Sequence, residues 1–417
     1  MRFQSYFNTA TALLRQYDGT IPLTHFLKTY FSQHKKHGSK DRKFITHLCY
    51  CFYRLGNTLK NLSVEEKLKT AIFICNAQPQ EWNILYNELW LKNWNEDLVN
   101  RIDFVKNIYP DFTTEDIFSW KDEISEGIDF TKFSLSHFIQ PDLFLRIRPG
   151  KEKVVKQKLA ENNISFREIS ASCLSLSNST KVDDILKMDE EVVIQDYSSQ
   201  RIGEFLQLFP TSDPRFSTPE VWDCCAASGG KSILAKDILG KINLTVSDVR
   251  PSILHNLEKR FADAEIKNYK LFVEDLSTVN SLQSIVRSKT TDYRLLTTDY
   301  NIIICDVPCS GSGTWSRTPE QLAFFNKEKI NEYSALQKKI ISNSIQHLKQ
   351  GGYFLYITCS VFKKENEENV AFIRQQFGLQ IIKQELLIGY ETKADTMFAA
   401  LMTASPNPCL PGSKEGD

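Results

Sequence analysis

The chain has 417 residues with 51 Lys plus Arg against 51 Asp plus Glu, so its formal charge is zero and any nucleic-acid affinity must come from local patches, not a global field. That length exceeds one ordinary core and predicts two or three domains. No apolar run approaches the roughly 20 residues that cross a bilayer, and the ten cysteines lack the Cys-x-x-Cys spacing of structural zinc sites, which excludes a membrane partner and a bound metal from the expectation.

Met1-Arg2-Phe3-Gln4 opens into polar, amphipathic sequence and not into a signal-peptide core, so the protein is expected in the cytoplasm, with its cysteines as reduced thiols. Over residues 1–135 apolar side chains recur at three and four, as in Phe44-Ile45…Leu48-Cys49…Phe52-Tyr53, which predicts an all-α bundle. Between two of its helices, His34 to Lys43 holds Lys35, Lys36, Lys40, Arg42 and Lys43, and Ser39 is placed to cap the helix that follows. This run reads either as a solvated helix entrance or as a phosphate-binding patch.

Residues 136–205 change texture. Leu143 to Ile147 is strand-like, Glu152 to Glu161 helical, and Phe166 to Ile169 strand-like again, which predicts a small α+β module. Its Arg146 and Arg148 alternate with apolar neighbours, so both point to one face of the sheet, and that face is a candidate RNA contact.

Over residues 206–404 strands alternate with helices: Val221-Trp222, Leu244 to Val246, Tyr269 to Val273, Ile302 to Ile304 and Gly352 to Ile357, separated by helical spans such as Lys231 to Leu239, Ser252 to Ala264 and Ser334 to Leu348. That alternation predicts an α/β, Rossmann-like, doubly wound and mostly parallel sheet. The turn-rich tail, 405–417, is expected to be disordered.

Ligands of such sheets bind beyond the carboxyl ends of the strands. The first strand ends in Asp223 and runs through Cys224, Cys225, Ala226, Ala227, Ser228, Gly229 and Gly230 to Lys231, a turn of small residues that lets backbone amides approach a ligand. The segment fails the Walker spacing, because Cys225 stands where its first glycine is needed, and it lacks the G-x-G-x-x-G dinucleotide pattern. S-adenosyl-L-methionine, which has no phosphate to cradle, remains. Asp248 ends the second strand, where its carboxylate suits a ribose diol, and Asp275 follows the third, suited to the exocyclic amine of adenine. Asp306 closes the fourth. Lys231 is expected to face an anionic ligand group such as the methionine carboxylate, since a lysine in a first helical turn opposes the helix dipole.

Two cysteines follow strands at the same edge: Cys309 in Asp306-Val-Pro-Cys309-Ser-Gly-Ser-Gly and Cys359 in Tyr356-Ile-Thr-Cys359-Ser. An isolated cysteine is most often a small buried hydrophobe, and Cys49, Cys51, Cys75, Cys224, Cys225 and Cys305 read that way. Proline before Cys309, and Thr358 and Ser360 around Cys359, set these two apart.

In this order the residues resemble the Sun (Fmu/NOP) family of RNA cytosine-5 methyltransferases, whose motifs run D-x-C-A-A-P-G-G-K, two acidic strand ends, D-x-P-C-S-G-x-G and T-C-S. Gln195 to Gln200, Asp223 to Lys231, Asp248, Asp275, Asp306 to Gly313, Thr358 to Ser360 and Glu365 to Glu368 carry the likeness. The first 135 residues resemble the NusB-like domain of bacterial members that act on small-subunit ribosomal RNA, through Gly38 to Arg42 and Tyr50…Tyr53-Arg54-Leu55. Ser228 departs from the family's proline, and Thr396 from its usual glycine.

The resemblance implies a monomeric enzyme that methylates carbon 5 of a cytosine in RNA, 16S ribosomal RNA being the expected substrate. Cys359 would add to carbon 6, Cys309 would help release the product, and Asp306 would hydrogen-bond the base edge. The cofactor would lie along Ala226 to Lys231, Asp248, Asp275 and Asp306. Cys309 as the attacking thiol, a transfer-RNA substrate, and a non-catalytic ribosome-assembly factor on the same fold are the alternatives.

Overall fold

Apolar residues three and four apart wind the start of the chain into helices α1 (Arg2–Gln16), α2 (Leu23–Gln33), α3 (Ser39–Arg54), α4 (Val64–Cys75), α5 (Glu88–Lys92), α6 (Leu98–Ile108) and α7 (Phe130–Ser136). The computed structural model describes residues 2–211, 217–278 and 299–404; the expected tail lies outside them. Phe7, Leu27, Leu48 and Ile72 meet in the core of α1 to α4. Ser63 and Glu66 cap α4 reciprocally. The cap of α3 differs from expectation: Ser39 is already helical, and the amide of Gly38 donates to Asp41 Oδ2 at 2.9 Å. A carboxylate in the first turn satisfies the orphan amide without a capping hydroxyl.

Next come β1 (Leu143–Ile147), α8 (Glu152–Glu161), β2 (Arg167–Ser170), β3 (Cys173–Leu176) and β4 (Val192–Ile194). They form an antiparallel sheet in the order β2-β3-β1-β4. Val155 and Leu159 of α8 pack on Leu145, Ile147 and Leu174. Short helices α9 (Tyr197–Arg201) and α10 (Gly203–Leu206) lead on to the large sheet.

That sheet contains β5 (Glu220–Asp223), β6 (Asn243–Asp248), β7 (Tyr269–Val273), β8 (Tyr300–Asp306), β9 (Leu348–Thr358), β10 (Gln380–Leu387) and β11 (Met397–Thr403). Their order is β10-β11-β9-β8-β5-β6-β7. β9 through β7 are parallel, and β11 runs antiparallel between β9 and β10. Helices α11 (Gly230–Leu239), α12 (Pro251–Asp263), α13 (Gln321–Phe324), α14 (Glu328–Ile345) and α15 (Glu367–Phe377) complete it. The two-residue period of a strand sends Ile302 and Ile304 into one layer, with Ile233 and Leu257, and Ile303 and Cys305 into the other, with Ile341 and Tyr356. This is the doubly wound α/β sheet the alternation predicted.

A further core crosses from the helices to the sheet. Phe118, Trp120 and Phe133 pack with Trp315, Val361 and Phe362, which follow β8 and β9. The segments after the two functional strands are therefore seated in the helical region.

Candidate active site

The turn after β5 is built for close approach. Ala227 and Gly229 adopt left-handed backbone, with φ of 47° and 85°. A Cβ on Gly229 would lie 2.7 Å from Phe261 Cε1, so only glycine fits between turn and α12. Ser228 takes the place of a rigid proline, and Arg260 of α12 compensates: Nη1 donates to both Ser228 O and Ser228 Oγ at 3.1 Å, while the rest of the guanidinium grips Asp189.

Beside the turn lies a cavity of about 550 Å³, lined by Cys225, Ala227, Asp248, Glu274, Asp275, Asp306, Cys309 and Cys359 among others. Asp248 is buried and accepts from the amides of Ala227 and Arg250, both at 3.0 Å, and from the Arg250 guanidinium, whose side chain is 59% exposed. Asp275 is exposed and accepts from the Ser277 amide at 2.9 Å. Lys231 Nζ donates to Asp306 Oδ2 at 2.9 Å. Burial works against its charge, but Asp306, Cys359 and Asp223 outweigh that and raise its pKa. Lys231 thus pairs with Asp306 near Cys359, and the ammonium keeps further donors for the ligand carboxylate it was expected to face.

Cys309 and Cys359 follow the parallel neighbours β8 and β9, and their sulfurs are 3.2 Å apart. The hydrogen bond with Cys359, then burial, then the charges of Cys359 and Glu365 push the Cys309 thiol well above its usual range. Buried side chains fix the two loops relative to each other. Glu365 Oε2 accepts from the Ser310 amide at 2.9 Å and from Gln337 Nε2 at 2.8 Å, and its Oε1 accepts from Ser360 Oγ at 2.7 Å. The Gly313 amide donates to Cys359 O at 2.9 Å, and Trp315 Nε1 donates to Ser310 O at 3.2 Å. Gly313 and Glu365 stood within the quoted motifs but carried no assigned role, and nothing in the sequence marked Gln337.

The sequence-predicted RNA residues separate. Lys35, Lys36, Lys40 and Lys43 are exposed at the entrance to α3, while Arg42 Nε donates to His37 O at 2.8 Å. Arg146 and Arg148 do share a face, but that face is covered. Both pair with Asp237 of α11, and Arg148 also donates to the carbonyls of Asp189 and Ala264 at 2.9 and 2.8 Å. With side-chain exposures of 6% and 14% they join the small module to the large sheet and are not open to RNA.

A parallel sheet with acidic strand ends around a cleft, extended beyond β9 by the antiparallel β11 and β10, defines the Rossmann-like methyltransferase class. Residues 212–401 match the family model described as 16S rRNA methyltransferase RsmB/F. Over these residues the chain is similar to the Sun (Fmu/NOP) family that its motifs resemble. It is 27% identical over 215 residues to ribosomal RNA small subunit methyltransferase B of Proteus mirabilis, covering 51% of this chain and 46% of that protein. It is 30% identical over 207 residues to the mouse (Mus musculus) tRNA (cytosine(72)-C(5))-methyltransferase NSUN6, covering 45% and 40%. The matched segment thus spans less than half of either relative's length. Among solved structures, NSun6 from Pyrococcus horikoshii with SFG superposes with a TM-score of 0.52 at 15% identity, over 67% of this chain and 95% of that one.

Proposed function

We propose that this protein transfers a methyl group from S-adenosylmethionine to carbon 5 of a cytosine in RNA, with 16S ribosomal RNA as substrate and Cys359 as the attacking thiol. The observation that carries the reading is the pair of sulfurs 3.2 Å apart beside the Lys231–Asp306 ion pair, on the wall of an acidic cavity. The residues fit the cofactor. After two backbone amides, Asp248 has lone pairs left for a ribose diol once the exposed Arg250 side chain yields, and Asp275 lies further along the same wall. When bound, the cofactor supplies an electrophilic methyl group.

Carbon 5 becomes nucleophilic only when a thiolate adds to carbon 6. The Lys231 ammonium supplies positive charge near Cys359, and Cys309, whose thiol is pushed above its usual range, stands 3.2 Å away as the second thiol. Asp306, anchored by Lys231, accepts from the amino edge of the base and relays the proton released by the Cys359 thiol to ring nitrogen 3 as the sulfur adds to carbon 6. After methyl transfer the carbon 5 proton passes to water, ring nitrogen 3 returns its proton to Asp306, and departure of the Cys359 thiolate restores the aromatic ring, with Cys309 assisting release. The target base must leave its stack to reach the thiols.

Cys359→Ala should abolish methyl transfer while S-adenosylmethionine affinity by calorimetry stays within about threefold; retained turnover would overturn the assignment. Cys309→Ala should methylate once and accumulate a protein–RNA adduct on denaturing gels, whereas an adduct that requires Cys309 would reverse the two roles. The mouse relative, named for transfer RNA, supports transfer RNA as the second substrate reading. Bisulfite sequencing of ribosomal and transfer RNA from cells lacking the protein decides between them by where a methylated cytosine is lost.

A further inference from the structure

We propose that Ser125 is a positioning residue for Cys359, which makes the helical region a working part of the catalytic site; this rests on the reading above that the two thiols react. Cys359 directly follows β9, so its sulfur is placed by the peptide groups from Thr358 to Val361. Ser125, between α6 and α7 and only 2% exposed, holds that segment once directly and once through Asn366. Its amide donates to Val361 O at 2.7 Å. Its hydroxyl accepts from Asn366 Nδ2 at 2.9 Å and donates to Glu367 Oε2 at 2.9 Å.

Asn366 is the relay. Its Oδ1 accepts from Thr358 Oγ1 at 2.6 Å and its Nδ2 donates to Ser360 O at 2.9 Å, so one fully buried amide grips both neighbours of Cys359. An asparagine side chain is nearly symmetric in shape, and what fixes its orientation is the polarity of its partners. The Ser125 hydroxyl, already donating to Glu367, can only accept from Asn366, which keeps Nδ2 toward Ser360 O. Without that hydroxyl the amide loses one of its two acceptors, and Ser360 O alone is left to hold Nδ2 in place. Displacements near 1 Å at a reacting atom cost about a hundredfold in rate, and a loosened relay costs part of that.

The test uses the full-length protein. Ser125→Ala should slow single-turnover methyl transfer about tenfold while affinities for S-adenosylmethionine and RNA stay within about twofold, a split that general destabilisation does not produce. Thr358→Val should slow transfer similarly, and the double variant should be no slower than the worse single one, because both act through Asn366. Losses that multiply, or wild-type turnover in Ser125→Ala, overturn the proposal. If Ser125→Ala does not fold, Asn366→Asp carries the test: it keeps the shape but replaces the donor, and must lose at least as much; undiminished turnover there overturns the proposal too. Alkylation of Cys359 by iodoacetamide, followed by peptide mass spectrometry, separates this inference from the functional one. A wild type inert on every RNA whose alkylation rate still changes severalfold in Ser125→Ala overturns the function alone, and an unchanged alkylation rate with unchanged turnover overturns the role of Ser125.

Discussion

Asp223 ends β5 fully buried, with one oxygen accepting from Ser232 Oγ at 2.6 Å and the other without a partner among the described residues. Burial, opposed by the Ser232 bond and reinforced by Asp306, raises its pKa from 3.8 to about 7. Between those values the folded protein keeps a proton that the unfolded chain has released, so this group's contribution is most favourable at low pH and is lost as pH rises through about 7. Urea unfolding near pH 5 and near pH 8 should therefore show a shallower loss of stability with rising pH in Asp223→Asn than in the wild type; identical slopes would place the charge elsewhere. Gly313 acts by size. A Cβ there would lie 1.9 Å from Thr396 O and 3.1 Å from Cys359 O, so Gly313→Ala must push the Cys309 loop away from β11. It should cost about 1–3 kcal/mol in denaturant unfolding and lose methyl transfer disproportionately, measured against its retained cofactor affinity.

At the scale of elements, the cofactor turn depends on α12. Gly229 lets the turn lie on Phe261, and Arg260 ties Ser228 to Asp189, just before β4. Arg260→Ala frees the turn and leaves the buried Asp189 carboxylate without its guanidinium. Calorimetry should show S-adenosylmethionine affinity falling by about three- to tenfold, a loss of roughly 1 kcal/mol, as expected when hydrogen bonds to a charged group are removed from a binding loop. An unchanged affinity would mean the turn is held by its own backbone.

For the whole molecule, the decisive joints are the ones between regions. Asp237 sits 5% exposed against two arginines from another sheet, and removing a buried partner leaves uncompensated charge. Asp237→Ala should destabilise by about 3–5 kcal/mol in urea unfolding, whereas an ordinary surface carboxylate would cost less than about 1 kcal/mol. The lysines before and within α3 are exposed and form an accessible cationic group of the helical region. If they bind phosphates, neutralising Lys35, Lys36 and Lys40 should flatten the dependence of log RNA affinity on log salt by about two to three units and leave cofactor binding unchanged. An unchanged slope makes the run a solvated helix entrance.

Periods of two and of 3.6 residues are local, and they were enough to read the alternating strands and helices after Val221 and to put Asp223, Asp248, Asp306, Cys309 and Cys359 at strand ends. β10 escaped that reading: Gln380–Leu387 is a sheet edge whose early residues are exposed, so no alternation of apolar and polar marks it. Alternation told that Arg146 and Arg148 share a face, but Asp237, the residue that covers it, lies 91 positions beyond Arg146. Ser125 left no trace in the sequence, because a lone serine in a loop has no period and its partner Asn366 is 241 residues away. Sequence by itself determined which residues stand at the carboxyl edge of the sheet, since that follows from local backbone geometry. Only the tertiary structure decided which side chains hold them there, because hydrogen bonds and ion pairs depend on distances that no local pattern encodes.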